Sequence, residues 1–283
     1  MTTLLAGDIG GTKTLLALYR LEGDRLIQGR CERFPSADWD DFAALVNHFL
    51  AAGPAGEARP AHACLAVAGP VRGGRCQLTN LPWLLEEGAL AARCNLARLE
   101  LVNDFAVLIY GLPHLQPHQQ AELRAGSGRD PLAPVAILGA GTGLGVAIGV
   151  PTAAGLVAVA SEAAHAEFAP EPRISLPAAT AAAAAAGDPL AAAALALWLG
   201  AYGSASGDLA LQTLCRGGLW VGGGTAGKLL AQLRSPAFLE PLLAKGRLSS
   251  VVQEIPVMAL VDPEAGLFSA ACRARMLQGQ VGH

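Results

Sequence analysis

The sequence predicts an α/β protein of two related lobes with a ligand cleft between them. Three observations carry this. Short apolar strands alternate with helical stretches, and glycine-rich turns follow several of the strands. The opening pattern Thr3–Tyr19, TLLAGDIGGTKTLLALY, also returns about 130 residues later as Pro134–Val150, PVAILGAGTGLGVAIGV. Self-similarity of this kind points to duplicated halves that bind ligands where they face each other. The expected division is a smaller α/β domain of residues 1–112 plus 266–283, and a larger one of 113–265.

The elements follow in order. Residues 3–19 read as strand, Gly-Gly turn and returning antiparallel strand, and Arg25–Phe34 supplies a third. Asp38–Ala52 places Phe42, Leu45, Val46, Phe49 and Leu50 at helical spacing and ends at Gly53-Pro54. Ala61–Ala68 is a continuous apolar run, the mark of a strand covered on both faces. Gly73-Gly74 makes a turn, Leu81–Asn95 a second helix, and Leu99–Val102 a strand that delivers Asn103-Asp104 to the start of a helix over Phe105–Tyr110. After the second hairpin come a strand at Leu156–Ala160 and an alanine-rich stretch, Pro177–Leu199. The latter is expected to be helical with a break at Gly187-Asp188-Pro189. A further helix is expected at Ala201–Cys215, where Gly203 and Gly207 either weaken it or mark close helix packing. A strand at Leu219–Val221, a turn at Gly222–Gly224, a helix at Ala226–Leu233, a strand at Ile255–Leu260 and a helix at Gly266–Leu277 complete the chain.

Composition narrows the function. The 283 residues suit one large domain or two ordinary ones. Hydrophobic content is 52%, yet no uninterrupted apolar run reaches the roughly eighteen residues of a membrane span, so no membrane is expected. The N-terminus lacks a basic n-region and cleavage site, so no signal peptide is expected. A net charge of −3 without a basic block argues against nucleic acid. Six scattered cysteines without a CxxC pair read as reduced core residues in a cytoplasmic protein.

Several residues suggest chemistry. Gly10 and Gly11 let a bulky anion approach main-chain N–H groups, and Asp8 beside them would repel a phosphate unless a divalent cation and its water lay between. An ordinary hairpin with an Asp-capped turn explains the same residues. Asp104 can accept a proton from a substrate hydroxyl, with the Asn103 amide orienting it, or Asp104 simply caps the next helix. Gly139–Gly145, GAGTGLG, can hold phosphate oxygens with help from Thr142, or let two hairpins pack closely. Glu162 and His165, three apart, share one face of a turn. They suit vicinal hydroxyls, or a surface contact, and make a weak metal pair. Gly222–Lys228, GGGTAGK, fails as a P-loop because Leu229 stands where Ser or Thr would hold Mg²⁺. It also lies late for a dinucleotide motif, which leaves a glycine turn suited to an adenosine or ribose.

Together these pieces resemble the bacterial glucokinase family of actin/hexokinase-like kinases. The resemblance rests on Gly7-Asp8-Ile9-Gly10-Gly11-Thr12, Leu78-Thr79-Asn80 with Trp83, Asn103-Asp104-Phe105, Gly139–Gly145, Glu162 and His165 with Phe168-Ala169-Pro170, and Gly222-Gly223-Gly224. The related ROK sugar kinases carry a zinc-binding cysteine cluster after their histidine, which this sequence lacks. The resemblance implies a two-lobed actin/hexokinase-like (ribonuclease-H-like) fold and transfer of the γ-phosphoryl of ATP to the 6-hydroxyl of glucose. Asp104 would be the base, and Asn103, Glu162 and His165 would hold sugar hydroxyls with it. Gly7, Asp8, Ile9, Gly10, Gly11 and Thr12, Gly141, Thr142 and Gly143, and Gly223 and Gly224 would bind the nucleotide, with Asp8 acting on Mg²⁺ through water. The expected partners are glucose and ATP, and the expected assembly is a homodimer. One departure stands out. Family members carry a longer helical segment after the Phe-Ala-Pro, with a second sugar-binding glutamate, whereas this chain runs from Pro170 almost directly into the alanine-rich stretch. A hydrogen bond to a charged group is worth roughly 1.5–3 kcal/mol, so its loss weakens or broadens sugar binding unless Glu167 or Glu171 replaces it. The alternatives are a hexokinase of altered specificity and a non-catalytic, kinase-shaped sugar or nucleotide sensor.

Overall fold

The computed structural model describes residues 2–78, 81–140, 144–153, 155–161 and 178–279. The chain divides into two compact units, Met1–His114 with Glu264–His283, and Leu115–Pro263.

In the first unit, β1 (Thr2–Ile9), β2 (Lys13–Glu22) and β3 (Arg25–Pro35) form an antiparallel meander. A 3₁₀ turn, Ser36–Asp38, leads to α1 (Phe42–Ala51). This helix starts later than its apolar spacing suggests, because the Asp41 carboxylate accepts the Ala43 N–H and fixes the boundary there. Strand β4 (His62–Val67) then pairs parallel to β1. The stretch expected as one helix from Leu81 is divided. Leu84–Glu86 (β6) pairs with Arg75–Gln77 (β5), which follows a turn at the positive-φ residues Gly73 and Gly74, and Leu85 is buried. Helix α2 is confined to Glu87–Arg93 and stops before the left-handed Asn95. Strand β7 (Arg98–Asn103) joins parallel to β4, followed by a turn and the short α3 (Leu108–Gly111). The sheet order is β3-β2-β1-β4-β7. Leu5, Ile9, Leu65 and Leu101 meet Phe49 and Trp83 in the core on the α1/α2 face. On the other face lies the C-terminal helix, Ala265–Gly279, whose Arg273 makes a bidentate pair with Glu100 of β7 at 3.0 Å per bond.

The second unit repeats the plan. Its strands β8 (Gln120–Arg124), β9 (Val135–Ala140), β10 (Leu144–Thr152) and β11 (Gly155–Ser161) precede α4 (Ala178–Ala185) and α5 (Pro189–Thr213). Then come β12 (Gly218–Gly222), α6 (Leu230–Leu233), α7 (Pro236–Leu243), α8 (Ser249–Glu254) and β13 (Val257–Leu260). The order is β11-β10-β9-β12-β13-β8. The β9–β10–β11 meander is antiparallel and β12 and β13 add parallel, as in the first unit, while β8 joins the far edge antiparallel. The duplication read in the two glycine hairpins is therefore a duplication of five-strand topology. Strand β8 and helices α7 and α8 were not anticipated.

Helix α5 corrects the expectation of separate helices over 177–199 and 201–215. It begins at Asp188, whose carboxylate accepts the N–H groups of Leu190 and Ala191, and runs unbroken to Thr213. Gly203 and Gly207 mark close packing. A Cβ on Gly203 would lie 2.1 Å from the Phe238 carbonyl oxygen, and one on Gly207 would lie 2.2 Å from that of Leu242, so α7 rests directly on the α5 backbone. By length and composition α5 could cross a membrane, although glycines, serines and Asp208 interrupt its apolar run. Its Leu195, Leu199, Tyr202 and Leu209 are instead buried in the core of this unit, and the Tyr202 hydroxyl donates to the Leu138 carbonyl at 2.9 Å.

Candidate active site

The chemistry gathers at the C-terminal ends of parallel strands, where main-chain groups and helix starts are free to meet a ligand. In the first unit three such ends are knitted together. Ala68 N–H donates to Ile9 O at 3.0 Å, and Asp104 N–H donates to Val67 O at 2.9 Å. Asp8 of β1 and Asp104 after β7 are thereby held on one frame.

Asp8 is half-buried. The C-terminal helix begins beside it, for a Cβ on Gly266 would lie 3.7 Å from Asp8 Oδ2. Burial raises the pKa of its carboxyl from the ordinary 3.8, against a smaller lowering by the Lys13 charge. The turn that follows points its carbonyls inward. Gly10 N–H donates to Lys13 O at 2.9 Å, Gly10 O accepts the Ser36 hydroxyl at 3.0 Å, and Thr12 O accepts the Ser36 N–H at 3.1 Å. Among the described residues no acceptor faces the N–H groups of Gly11 or Thr12, and Thr12 is exposed. Two adjacent N–H groups are thus available as donors, an arrangement that suits an anion. Gly7 and Ile9, also expected at the nucleotide, are buried within β1. A Cβ on Gly7 would lie 2.7 Å from a Leu65 methyl, so the missing side chain serves strand packing.

Asn103 uses its whole amide inside the protein. Its Oδ1 accepts the N–H groups of Phe105 and Ala106 at 3.0 and 3.1 Å, and Nδ2 donates to Gly69 O at 3.2 Å and to Asp104 Oδ1 at 3.1 Å. Asn103 therefore caps the turn that leads to α3, and Asp104 is exposed with its carboxylate held by the Asn103 amide. Asp104 is exposed by surface area, yet the protein packed around its carboxyl raises its pKa, and the negative charge of Asp8 raises it further, against smaller lowering by the N–H groups of Phe105 and Asp104 and by the Asn103 amide. The two carboxylates thus sense each other. Among the described residues no group of three or more His, Cys, Asp or Glu side chains could cage a metal. Two strained anions do suit Mg²⁺, which is commonly held by one or two carboxylates together with substrate phosphates.

In the second unit the end of β9 and the turn after β12 are pinned together. Gly223 has φ +87°, and a Cβ there would lie 2.4 Å from Ala140 O, which also accepts the Thr225 hydroxyl at 2.9 Å. A Cβ on Gly224 would meet nothing within 4 Å, so this glycine borders open space. Leu229 is buried, which agrees with its failure as a P-loop residue. Gly141, Thr142, Gly143, Glu162 and His165, with Thr79 and Asn80, lie outside the described residues. Ser36 and Gly266 were missed in the sequence. A serine behind a strand and a glycine opening a helix carry no local mark of the partners that the fold brings to them.

The family model described as Glucokinase matches residues 5–177 and 171–277. A glucokinase of Nostoc sp. (strain PCC 7120) is 32% identical over 344 aligned positions, covering 98% of this chain and 100% of the relative. The alignment is longer than this chain's 283 residues, and the two family matches meet at 171–177, where the sequence departs from the family pattern. Among solved structures, a glucokinase from an Antarctic psychrotroph superposes with a TM-score of 0.88 at 28% identity, covering 97% of this chain and 99% of that one. A ROK family glucokinase from Streptomyces griseus, in complex with glucose and AMPPNP, shares the fold with a TM-score of 0.57 at 21% identity, over 96% and 99% of the two chains. The repeated five-strand plan and these matches along nearly the whole sequence place the chain in the glucokinase family.

Proposed function

We propose that this chain transfers the γ-phosphoryl of ATP to the 6-hydroxyl of glucose, with Asp104 as the base. The observation that carries the reading is the Asn103–Asp104 arrangement. Asn103 Nδ2 donates to Asp104 Oδ1 and orients the carboxylate, which accepts the hydroxyl proton as the sugar oxygen bonds to phosphorus. The raised pKa makes that carboxylate a better proton acceptor than a free one. Phosphoryl transfer asks mainly for positioning and for neutralisation of charge on the phosphate oxygens. The unengaged N–H groups of Gly11 and Thr12 supply donors of that kind. Gly223 and Gly224 bind the nucleoside in this reading, and Gly224 borders the open space it needs. Glu162 and His165 hold sugar hydroxyls in this reading. Asp8 would hold Mg²⁺ through water, and the ion when bound neutralises the phosphate charge.

The test is ADP formation from ATP and Mg²⁺ across a panel of sugars. Glucose-dependent turnover is expected, falling about 10²–10⁴-fold in Asp104→Asn, the usual contribution of a positioned base. Undiminished turnover in that variant refutes the assignment.

A further inference from the structure

We propose that Ser36 is a positioning residue for phosphoryl transfer, holding the Gly10–Thr12 turn with its carbonyls inward so that its N–H groups face the nucleotide. The proposal rests on the reading of that turn as a phosphate site. Ser36 is fully buried, as is Thr14, whose hydroxyl lies 3.0 Å from the Ser36 hydroxyl. The Ser36 hydroxyl donates its one proton to Gly10 O, at 3.0 Å. Thr14 must then be the donor to Ser36, which gives a directed chain from Thr14 O–H to Ser36 Oγ to the Gly10 carbonyl. The Ser36 main-chain N–H meanwhile holds Thr12 O at 3.1 Å. One residue, 26 positions beyond Gly10, thus grips the carbonyls on both sides of the Gly11–Thr12 peptide unit, and the Gly10 carbonyl fixes the Gly11 N–H directly. A peptide unit carries its C=O and N–H on opposite sides, so pinning an oxygen inward turns the following N–H outward. With Gly10 O released, a glycine-rich turn can flip that peptide and withdraw the Gly11 N–H, because glycine accepts both backbone hands.

Steady-state kinetics of Ser36→Ala and Thr14→Val separate this from a merely structural role. Loss of one buried hydroxyl bond is expected to raise the KM for ATP about tenfold in Ser36→Ala, with the KM for glucose within twofold of wild type. Thr14→Val leaves the Ser36-to-Gly10 bond in place and is expected to show a smaller rise of the same selectivity. It also decides the matter should Ser36→Ala fail to fold. An unchanged ATP KM in a folded Ser36→Ala protein, or ATP and glucose KM rising together in either variant, overturns the proposal. Gly11→Pro, or Thr12→Pro if that variant does not fold, removes an outward N–H directly. If this leaves the ATP KM unchanged, the phosphate reading of the turn has failed. If it raises the KM while Ser36→Ala does not, only the role of Ser36 has failed.

Discussion

Replacing Asp104 by Asn should stabilise the protein at neutral pH while it lowers turnover about 10²–10⁴-fold. The amide is nearly isosteric and keeps an oxygen to accept the Asn103 Nδ2–H, so the local hydrogen bonds survive. What disappears is an anion that the fold disfavours through the protein packed around it and through the charge of Asp8. The folded carboxyl has a pKa above its ordinary 3.8, so the folded state binds more protons than the unfolded one between those two values. Stability is therefore lost as pH rises through that window, and at pH 7 the whole penalty is present. Because Asp104 faces solvent, screening keeps the effect on the order of 1 kcal/mol or less, a rise of about 2 °C in Tm for a chain of this size. Thermal melts of wild type and Asp104→Asn at pH 7 and at steps down to pH 3.5 would measure it. The variant's advantage should shrink toward zero as pH falls below the ordinary carboxylate value. An Asp8→Asn, Asp104→Asn double variant should gain less than the sum of the two single changes, since each removes the same repulsion. No advantage at pH 7, or one that stays constant down to the acid limit, would refute the electrostatic account.

Three further outcomes follow. Gly223→Ala forces a side chain into the left-handed backbone at φ +87° and against Ala140 O, so it should cost about 1–3 kcal/mol in urea unfolding and weaken ATP binding as well. Arg273→Met strands the half-buried Glu100, and unfolding should show a loss of about 2–3 kcal/mol that is partly recovered by adding Glu100→Gln. His62 is buried, with neither ring nitrogen bonded among the described residues, and its pKa is lowered by burial and by Arg98. The unfolded chain thus binds the proton more readily, so stability falls as pH drops below 6.5. His62→Val should flatten that acid limb in melts from pH 7.5 to 5 and raise stability by an amount on the order of 1 kcal/mol.

Much of this was legible in one dimension because the informative residues were local. The glycine hairpins declared themselves by composition, the β4 strand by its unbroken apolar run, and Asn103-Asp104 by standing between a strand and a helix. The boundaries that misled were decided by distant partners. Leu84–Glu86 has helical neighbours but becomes a strand because Arg75–Gln77 is free to pair with it. Helix α5 looked divisible because an alanine-rich stretch has almost no hydrophobic face to read, and its glycines are tolerated by contact with α7. The division of labour at the site was likewise hidden. Composition left the cap to Asp104, whereas the fold gave it to Asn103, and no spacing could have shown Ser36 behind the turn.

The repeated sheet order has an evolutionary corollary. Every residue paired in the five-strand plan of the second unit lies either at or before Ser161 or after Thr213, and the two family matches meet at 171–177, between those limits. Length can therefore be gained or shed at that junction without altering one rung of either ladder.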